Sequence, residues 1–90
     1  MIRRRVRDRL PALRACYEKR LLQDPDLAGT VTADFAINER GLVVIATIAG
    51  FGDAELDRCV WSALIRIRFP SQKNGGYTRV TYPFTFRRRD

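Results

Sequence analysis

The stretch TVTADFAINERGLVVIATI, residues 30–48, is the most informative part of this 90-residue chain. Its first part places apolar side chains at every second position from Val31 to Ile37, which is the period of a strand with one buried face. Residues 38–41, with the sequence NERG, have the composition of a turn. Residues 42–48 are apolar on both faces and rich in β-branched side chains, which is typical of a strand whose outer face is also covered. These residues together predict a β-hairpin.

A helix is predicted before the hairpin, from residue 2 to about residue 22. Its apolar side chains recur at helical spacing at Ile2, Val6, Leu10, Leu13, Tyr17 and Leu21, with Cys16 beside them. Pro11 lacks the amide donor that a helix interior needs. We therefore expect either a kink there or a helix that begins near Leu10, with an irregular or separately helical arm before it.

A second helix is predicted after the hairpin, beginning at the cap residue Asp53 and ending at Phe69-Pro70. One apolar stripe contains Leu56, Cys59, Val60, Ala63 and Ile67, and another contains Trp61, Leu64 and Ile65. Trp61 and Ile65 are candidates for an exposed apolar contact patch. The alternative is a broader core in which Trp61 packs on the first helix.

The last strand follows a polar loop at residues 71–76, which we expect to move, and it is a candidate partner-binding edge. Pro83 cannot donate to a neighbouring strand, so this strand is expected to lie at a sheet edge or to carry a bulge there. An added peptide strand would gain affinity from main-chain hydrogen bonds and register from alternate side chains. The alternative is an ordinary edge that proline and arginine protect from aggregation. The candidate residues are Arg79, Val80, Thr81, Tyr82, Pro83, Phe84, Thr85, Phe86 and Arg87.

The order of these elements predicts an α+β fold. A helix that runs back over the hairpin returns the last strand antiparallel to the first. The predicted sheet is therefore three-stranded and antiparallel, in the order 2-1-3, with two helices on one face. The chain forms one domain, residues 1–90, with a basic arm or helix extension at 1–9 and a basic tail at 87–90.

Cys16 and Cys59 occupy core positions of the two predicted helices, and a disulfide is the favoured interpretation. A thiolate metal site would need more partners, and the chain has no histidine. Closing a loop of about 44 residues stabilises a fold by roughly 4 kcal/mol in the chain-entropy model. Disulfides persist in secreted and periplasmic proteins. The alternative is two buried thiols that behave as small apolar side chains.

The net charge of +7 is concentrated at the ends of the chain, where arginines open and close the sequence. Such charge attracts nucleic acid, an anionic surface or an acidic protein. We favour solvated ends over nucleic-acid binding, because no helix-turn-helix, zinc finger or stacking aromatic motif accompanies the charge. Self-association as a homodimer, either by pairing of the sheet edge or by exchange of the last strand between two copies, is a further alternative.

Enzymatic activity is not expected, and no small-molecule substrate, metal or cofactor is assigned. The carboxylates lie in turns or at a helix start, where capping explains them. The glycine pairs at 50–52 and 75–76 are too short for a phosphate-binding loop. No apolar run approaches the length of a membrane span. If the domain lies outside the cytoplasm, we expect it to be a piece of a longer, membrane-anchored protein.

Six short segments, in this order of elements, resemble the TonB C-terminal domain over Val6 to Phe86. Four of them, at the hairpin, after the second helix and in the last strand, are DLAGTV (26–31), INERG (37–41), RFP (68–70) and VTYPF (80–84). The other two, around the cysteines, are ACYE (15–18) and RCV (58–60), and they are similar to the AgmX/PglI C-terminal branch of gliding-motility and envelope proteins.

The resemblance implies a periplasmic module at the C-terminal end of a protein anchored in the inner membrane. TonB pairs with a short segment of an outer-membrane transporter by adding a strand to its sheet, and it transmits force drawn from the proton gradient. The resemblance to the motility branch implies a link between an inner-membrane motor and envelope components. The expected function is therefore a non-catalytic energy-transducing or gliding-motility interaction module whose partner is an envelope protein or an extended peptide.

Overall fold

The computed structural model describes residues 2–50, 52–71 and 76–87. The predicted loop at 71–76 lies mostly outside these residues, as does the basic tail after residue 87. The elements are α1 (Ile2–Asp8), α2 (Leu10–Leu21), β1 (Gly29–Ile37), β2 (Val43–Ala49), α3 (Ala54–Ile65) and β3 (Thr78–Phe86). Among the described helices, none has both the length and the apolar character that crossing a membrane requires.

The sheet has three antiparallel strands in the order β2-β1-β3, which confirms the predicted fold class and strand order. The register of β1 and β3 pairs Gly29 with Phe86 at one end of the sheet and Ile37 with Thr78 at the other. The helices cover one face. The core on that face contains Val31, Ala33, Phe35, Ile37, Leu13, Tyr17, Leu56, Val60, Leu64, Phe84 and Phe86.

The hairpin turn depends on Gly41. The amide of Gly41 donates to the carbonyl of Asn38 at 3.0 Å, and the amide of Asn38 donates to Leu42 at 2.9 Å. This three-residue loop ends with a residue in the left-handed region, and Gly41 has a φ of +85°. A Cβ at this position would lie 1.9 Å from the carbonyl oxygen of Phe69, so both the positive φ and this close approach require glycine.

The outer face of β2 is uncovered, contrary to the expectation from its apolar sequence. The register shifts between Ala36 and Ile37, which pair with Ile45 and Val43 respectively, so Val44 is an extra residue on β2. Ile45 is 66% exposed. Apolar residues on both faces therefore reflect a bulge and an open sheet face within the described part of the chain.

Pro11 separates two helices instead of kinking one. Arg9 lies between α1 and α2, and its carbonyl accepts the first bond of α2, from Leu13 at 3.1 Å. Pro11 lies in the first turn of α2, where a missing amide costs nothing. The separately helical arm is thus the correct alternative, and Val6 of this arm is fully buried in the core.

α3 begins as predicted and ends earlier. The carboxylate of Asp53 accepts from the amide of Leu56 at 2.9 Å, which confirms the cap. The helix ends at Ile65, so the predicted end at Phe69-Pro70 is wrong. The segment after it turns towards the hairpin, because the amide of Phe69 donates to Gly41 at 2.9 Å. Leu64, which belongs to the second apolar stripe with Trp61 and Ile65, is fully buried.

Two links join α2 to α3. Cys16 and Cys59 form the predicted disulfide, with their Cα atoms 5.8 Å apart. One helical turn beyond Cys16, Arg20 binds both carboxylate oxygens of Asp53, at 3.2 and 3.1 Å. The Leu56 amide and then the Arg20 guanidinium hold the pKa of Asp53 below its usual range, against the opposing effect of burial. The two helices are therefore fixed relative to each other at two points.

Candidate protein-interaction edge

β3 is an edge strand, as predicted, and the hairpin determines which of its backbone N–H and C=O groups face outward. Successive residues of a strand direct their N–H and C=O groups to alternate sides. Because the amide of Asn38 bonds to Leu42, the even-numbered residues of β1 face β2 and the odd-numbered residues face β3. Odd-numbered residues of β1 pair with even-numbered residues of β3, for example Phe35 with Val80. The odd-numbered residues of β3 therefore direct their backbone groups away from the sheet.

The orientation of these backbone groups explains why β3 accommodates a proline. Pro83 is an odd-numbered residue, so its missing amide lies on the outer side and takes no bond away from β1. The remaining outward donors are the amides of Arg79, Thr81 and Thr85, and Pro83 still offers its carbonyl. No described strand pairs with β3 on this side. The outer side of β3 thus presents a row of backbone donors and acceptors with one donor missing at its centre.

The opposite edge of the sheet is partly covered. By the same alternation, the even-numbered residues of β2 face outward, and the carbonyl of Ala46 accepts a hydrogen bond from the indole nitrogen of Trp61 at 3.1 Å. The carbonyl of Gly41, just before β2, accepts from Phe69. An added strand would have to displace these contacts. Of the two edges, β3 is the more accessible for pairing.

Trp61 lies at the β2 edge and remains 41% exposed. It is absent from the buried core, and its hydrogen bond is to β2 rather than to the first predicted helix. Ile65, one turn later, is half-buried. The two candidate patch residues therefore flank the covered edge, on the side of the molecule away from β3.

The arginines at the two ends of β3 differ in their surroundings. Arg79 forms a bidentate pair with Asp34 of β1, with distances of 3.0 and 2.8 Å, on the open face of the sheet. This hydrogen bonding lowers the pKa of Asp34 and raises the pKa of Arg79. Arg87 forms no salt bridge with any residue in the described ranges. Its charge is more available to a partner than the charge of Arg79.

A groove lies between α2 and the last residues of β3, with a volume of 360 Å³. On one side are Arg14, Glu18 and Leu21, which share a face of α2 with Tyr17. On the other side are the last residues of β3, and the ring of Phe86 stacks on Tyr17 with centroids 4.9 Å apart. Sequence reasoning identified the strand but not this helical wall, because the wall depends on which strand α2 covers.

The basic arm is also on the surface. Arg4, Arg5, Arg7 and Arg9 are exposed, and Arg68 lies next to Arg5 and Arg9. Asp8 is part of the same cluster, which lowers its net charge. Within the described ranges, no group of three or more histidine, cysteine or acidic residues could hold a metal ion.

Comparison with protein-family models, with curated proteins and with solved structures finds no match to this chain.

Proposed function

We propose that this domain is a non-catalytic interaction module that binds an extended segment of an envelope protein by strand addition beside β3. The observation that carries the proposal is the outer side of β3. Its amides at Thr81 and Thr85 face away from the sheet, while the β2 edge is engaged by Trp61. Added strands gain affinity from such a row of backbone groups.

The cellular setting is part of the same proposal. A disulfide between Cys16 and Cys59 favours an oxidising compartment. The resemblance to the TonB C-terminal domain, and to its AgmX/PglI branch, supports a periplasmic position at the C-terminal end of a protein anchored in the inner membrane. The domain would then serve energy transduction or gliding motility by connecting that protein to a partner in the envelope.

Edge-blocking prolines test the proposal. The oxidised domain is immobilised, and proteins retained from envelope extract are quantified by mass spectrometry for the wild type and for Thr81→Pro and Thr85→Pro. Each substitution removes one outward donor and leaves the β1–β3 ladder intact. The matched control is Ala46→Pro, which removes an outward donor from β2. We expect the partner to be retained by the wild type and the control and lost from both β3 variants.

Hydrogen exchange provides the second measurement. A synthetic peptide from the retained protein should slow exchange at Thr81 and Thr85. Unchanged exchange in β3, with new protection in the helices or the basic arm, would contradict strand addition. Capture that disappears between low and physiological salt would instead support binding of nucleic acid or an anionic surface. A wild-type dimer that dissociates in the Thr81→Pro and Thr85→Pro variants would show that β3 pairs with a second copy of the domain.

A further inference from the structure

The groove beside β3 continues the surface that an added strand would occupy. The inference here rests on the proposed function and concerns the chemistry of the peptide. The groove is bounded by α2 and by the final residues of β3, at the end of the sheet where Phe86 pairs with Gly29. A strand that pairs with the outer side of β3 must pass along the mouth of this groove.

The pleat of the sheet determines which peptide side chains enter it. Residues directly opposite each other in paired strands have their side chains on the same face of the sheet. Phe86 faces the helices and is 8% exposed, whereas Thr85 faces the open side of the sheet. The peptide residue opposite Phe86 therefore points towards α2 and into the groove, and its immediate neighbours point away from it.

The lining of the groove combines apolar side chains, which are its most buried part, with polar and charged side chains. Phe86 and Tyr17 present stacked rings, and Leu21 is half-buried beside them. The available volume of 360 Å³ is sufficient for a large side chain. An aromatic or large aliphatic residue would bury its surface here, and an aromatic ring would also add an edge-to-face or stacked contact with the existing ring pair.

The rim of the groove carries an excess of positive charge. Arg14 and Arg87 are exposed at its two walls, and Glu18 is the acidic residue among the groove's lining. Neither arginine forms a salt bridge within the ranges that the structure describes. A carboxylate near either guanidinium would be attracted, and a lysine at the same place would be repelled.

We infer that the added strand carries a large apolar residue, which fills the α2–β3 groove opposite Phe86, next to an acidic residue that pairs with Arg14 or Arg87. The apolar residue sets the register along β3 and the acidic residue selects among peptides. Pro83 contributes to the same selection, since the missing donor at the centre of the edge weakens pairing by sequences that lack a side-chain contact.

A display library of random ten-residue peptides, selected on the oxidised domain, tests this inference. We expect the enriched peptides to combine an aromatic or large aliphatic residue with an aspartate or glutamate at a fixed short spacing. An enriched peptide is then labelled with fluorescein, and its dissociation constant is measured by anisotropy. Replacing its acidic residue with the amide should weaken binding by about two- to fivefold, as expected for an exposed ion pair.

Variants of the domain give the sharper comparison. Arg14→Glu with Arg87→Glu should reverse the preference, so that a peptide with lysine in place of the acid binds better than the original. Glu18→Gln should strengthen binding of the acidic peptide by about two- to fivefold, because it removes a repulsive charge. Arg40→Glu makes one charge reversal of the same kind at the opposite end of the sheet and should leave the preference unchanged.

Failure of the inference and failure of the proposed function give different results. Enriched peptides that lose binding with Thr81→Pro, but that share no apolar or acidic residue, would overturn the inference and retain strand addition. An unchanged preference in the double arginine variant would also overturn the inference. Peptides that bind equally to the Thr81→Pro variant would contradict strand addition itself.

Discussion

Removing the disulfide should cost about 4 kcal/mol in the free energy of unfolding. The bond closes a loop with a sequence separation of 43 residues, and the chain-entropy model gives about that value for a loop of this length. The whole stability of a domain of this size is typically about 5–15 kcal/mol, so the loss is a large fraction. Replacing Cys16 and Cys59 with alanine should therefore lower the melting temperature by roughly 15–30 °C.

Urea denaturation followed by circular dichroism measures the effect, with and without a reducing agent. Reduction of the wild type should bring its unfolding midpoint close to that of the double alanine variant, and the variant itself should not respond to the reducing agent. A loss of less than about 1 kcal/mol would refute the reasoning. It would mean that the reduced, unfolded chain is already compact, so that the bond removes little conformational entropy from it.

Three further predictions concern single side chains. Asp53→Ala removes the α3 cap and should cost about 1 kcal/mol at pH 7. The pKa of Asp53 in the folded state is lowered from 3.8, so the carboxylate stabilises the fold above that pH, and this stabilisation is lost as the pH falls through the lower folded pKa. In urea titrations between pH 2 and pH 7, the free energy of unfolding of the variant should therefore decrease less steeply with falling pH than that of the wild type. Trp61→Phe removes the donor to Ala46 and should cost less than about 1 kcal/mol, and acrylamide should quench the wild-type indole to an intermediate degree because it is 41% exposed. Gly41→Ala should cost more than about 2 kcal/mol, because the backbone strain of a positive φ and a clash with the backbone of Phe69 add. Gly52→Ala should cost only the backbone strain, because nothing lies within 4 Å of its new Cβ. Equal losses of stability in thermal unfolding would disprove the clash.

The hairpin and the sheet order could be predicted because they depend on local signals. Alternation from Val31 to Ile37 determines which face of β1 is buried, and the turn ending in Gly41 determines where the chain reverses into β2. The order of the elements then leaves few chain paths that avoid crossing. The disulfide was predictable from this chain path and not from a local signal, since helices on one face bring Cys16 and Cys59 together.

Contacts between distant segments could not be predicted from local signals. The pairing of Arg79 with Asp34 is diagonal across two strands, so it depends on a register that no short window contains. The early end of α3 has the same origin, because Phe69 leaves the helix to bond with Gly41. The α2 wall of the candidate groove likewise requires knowing that Tyr17 stacks on the last strand.

The disulfide also divides the chain into a part that can be extended and a part that cannot. Residues between Cys16 and Cys59 form a covalently closed ring that contains β1 and β2, and β3 lies outside it. A pull on the end of β3 would load its nine pairs with β1 in shear, along the strand. Rupture of that ladder would lengthen the molecule without opening the ring. The disulfide prevents extension of the 43-residue segment inside the ring, which corresponds to about 150 Å of contour length at roughly 3.5 Å per residue. β3, the strand proposed to hold the partner, can therefore detach while β1 and β2 stay within the closed ring.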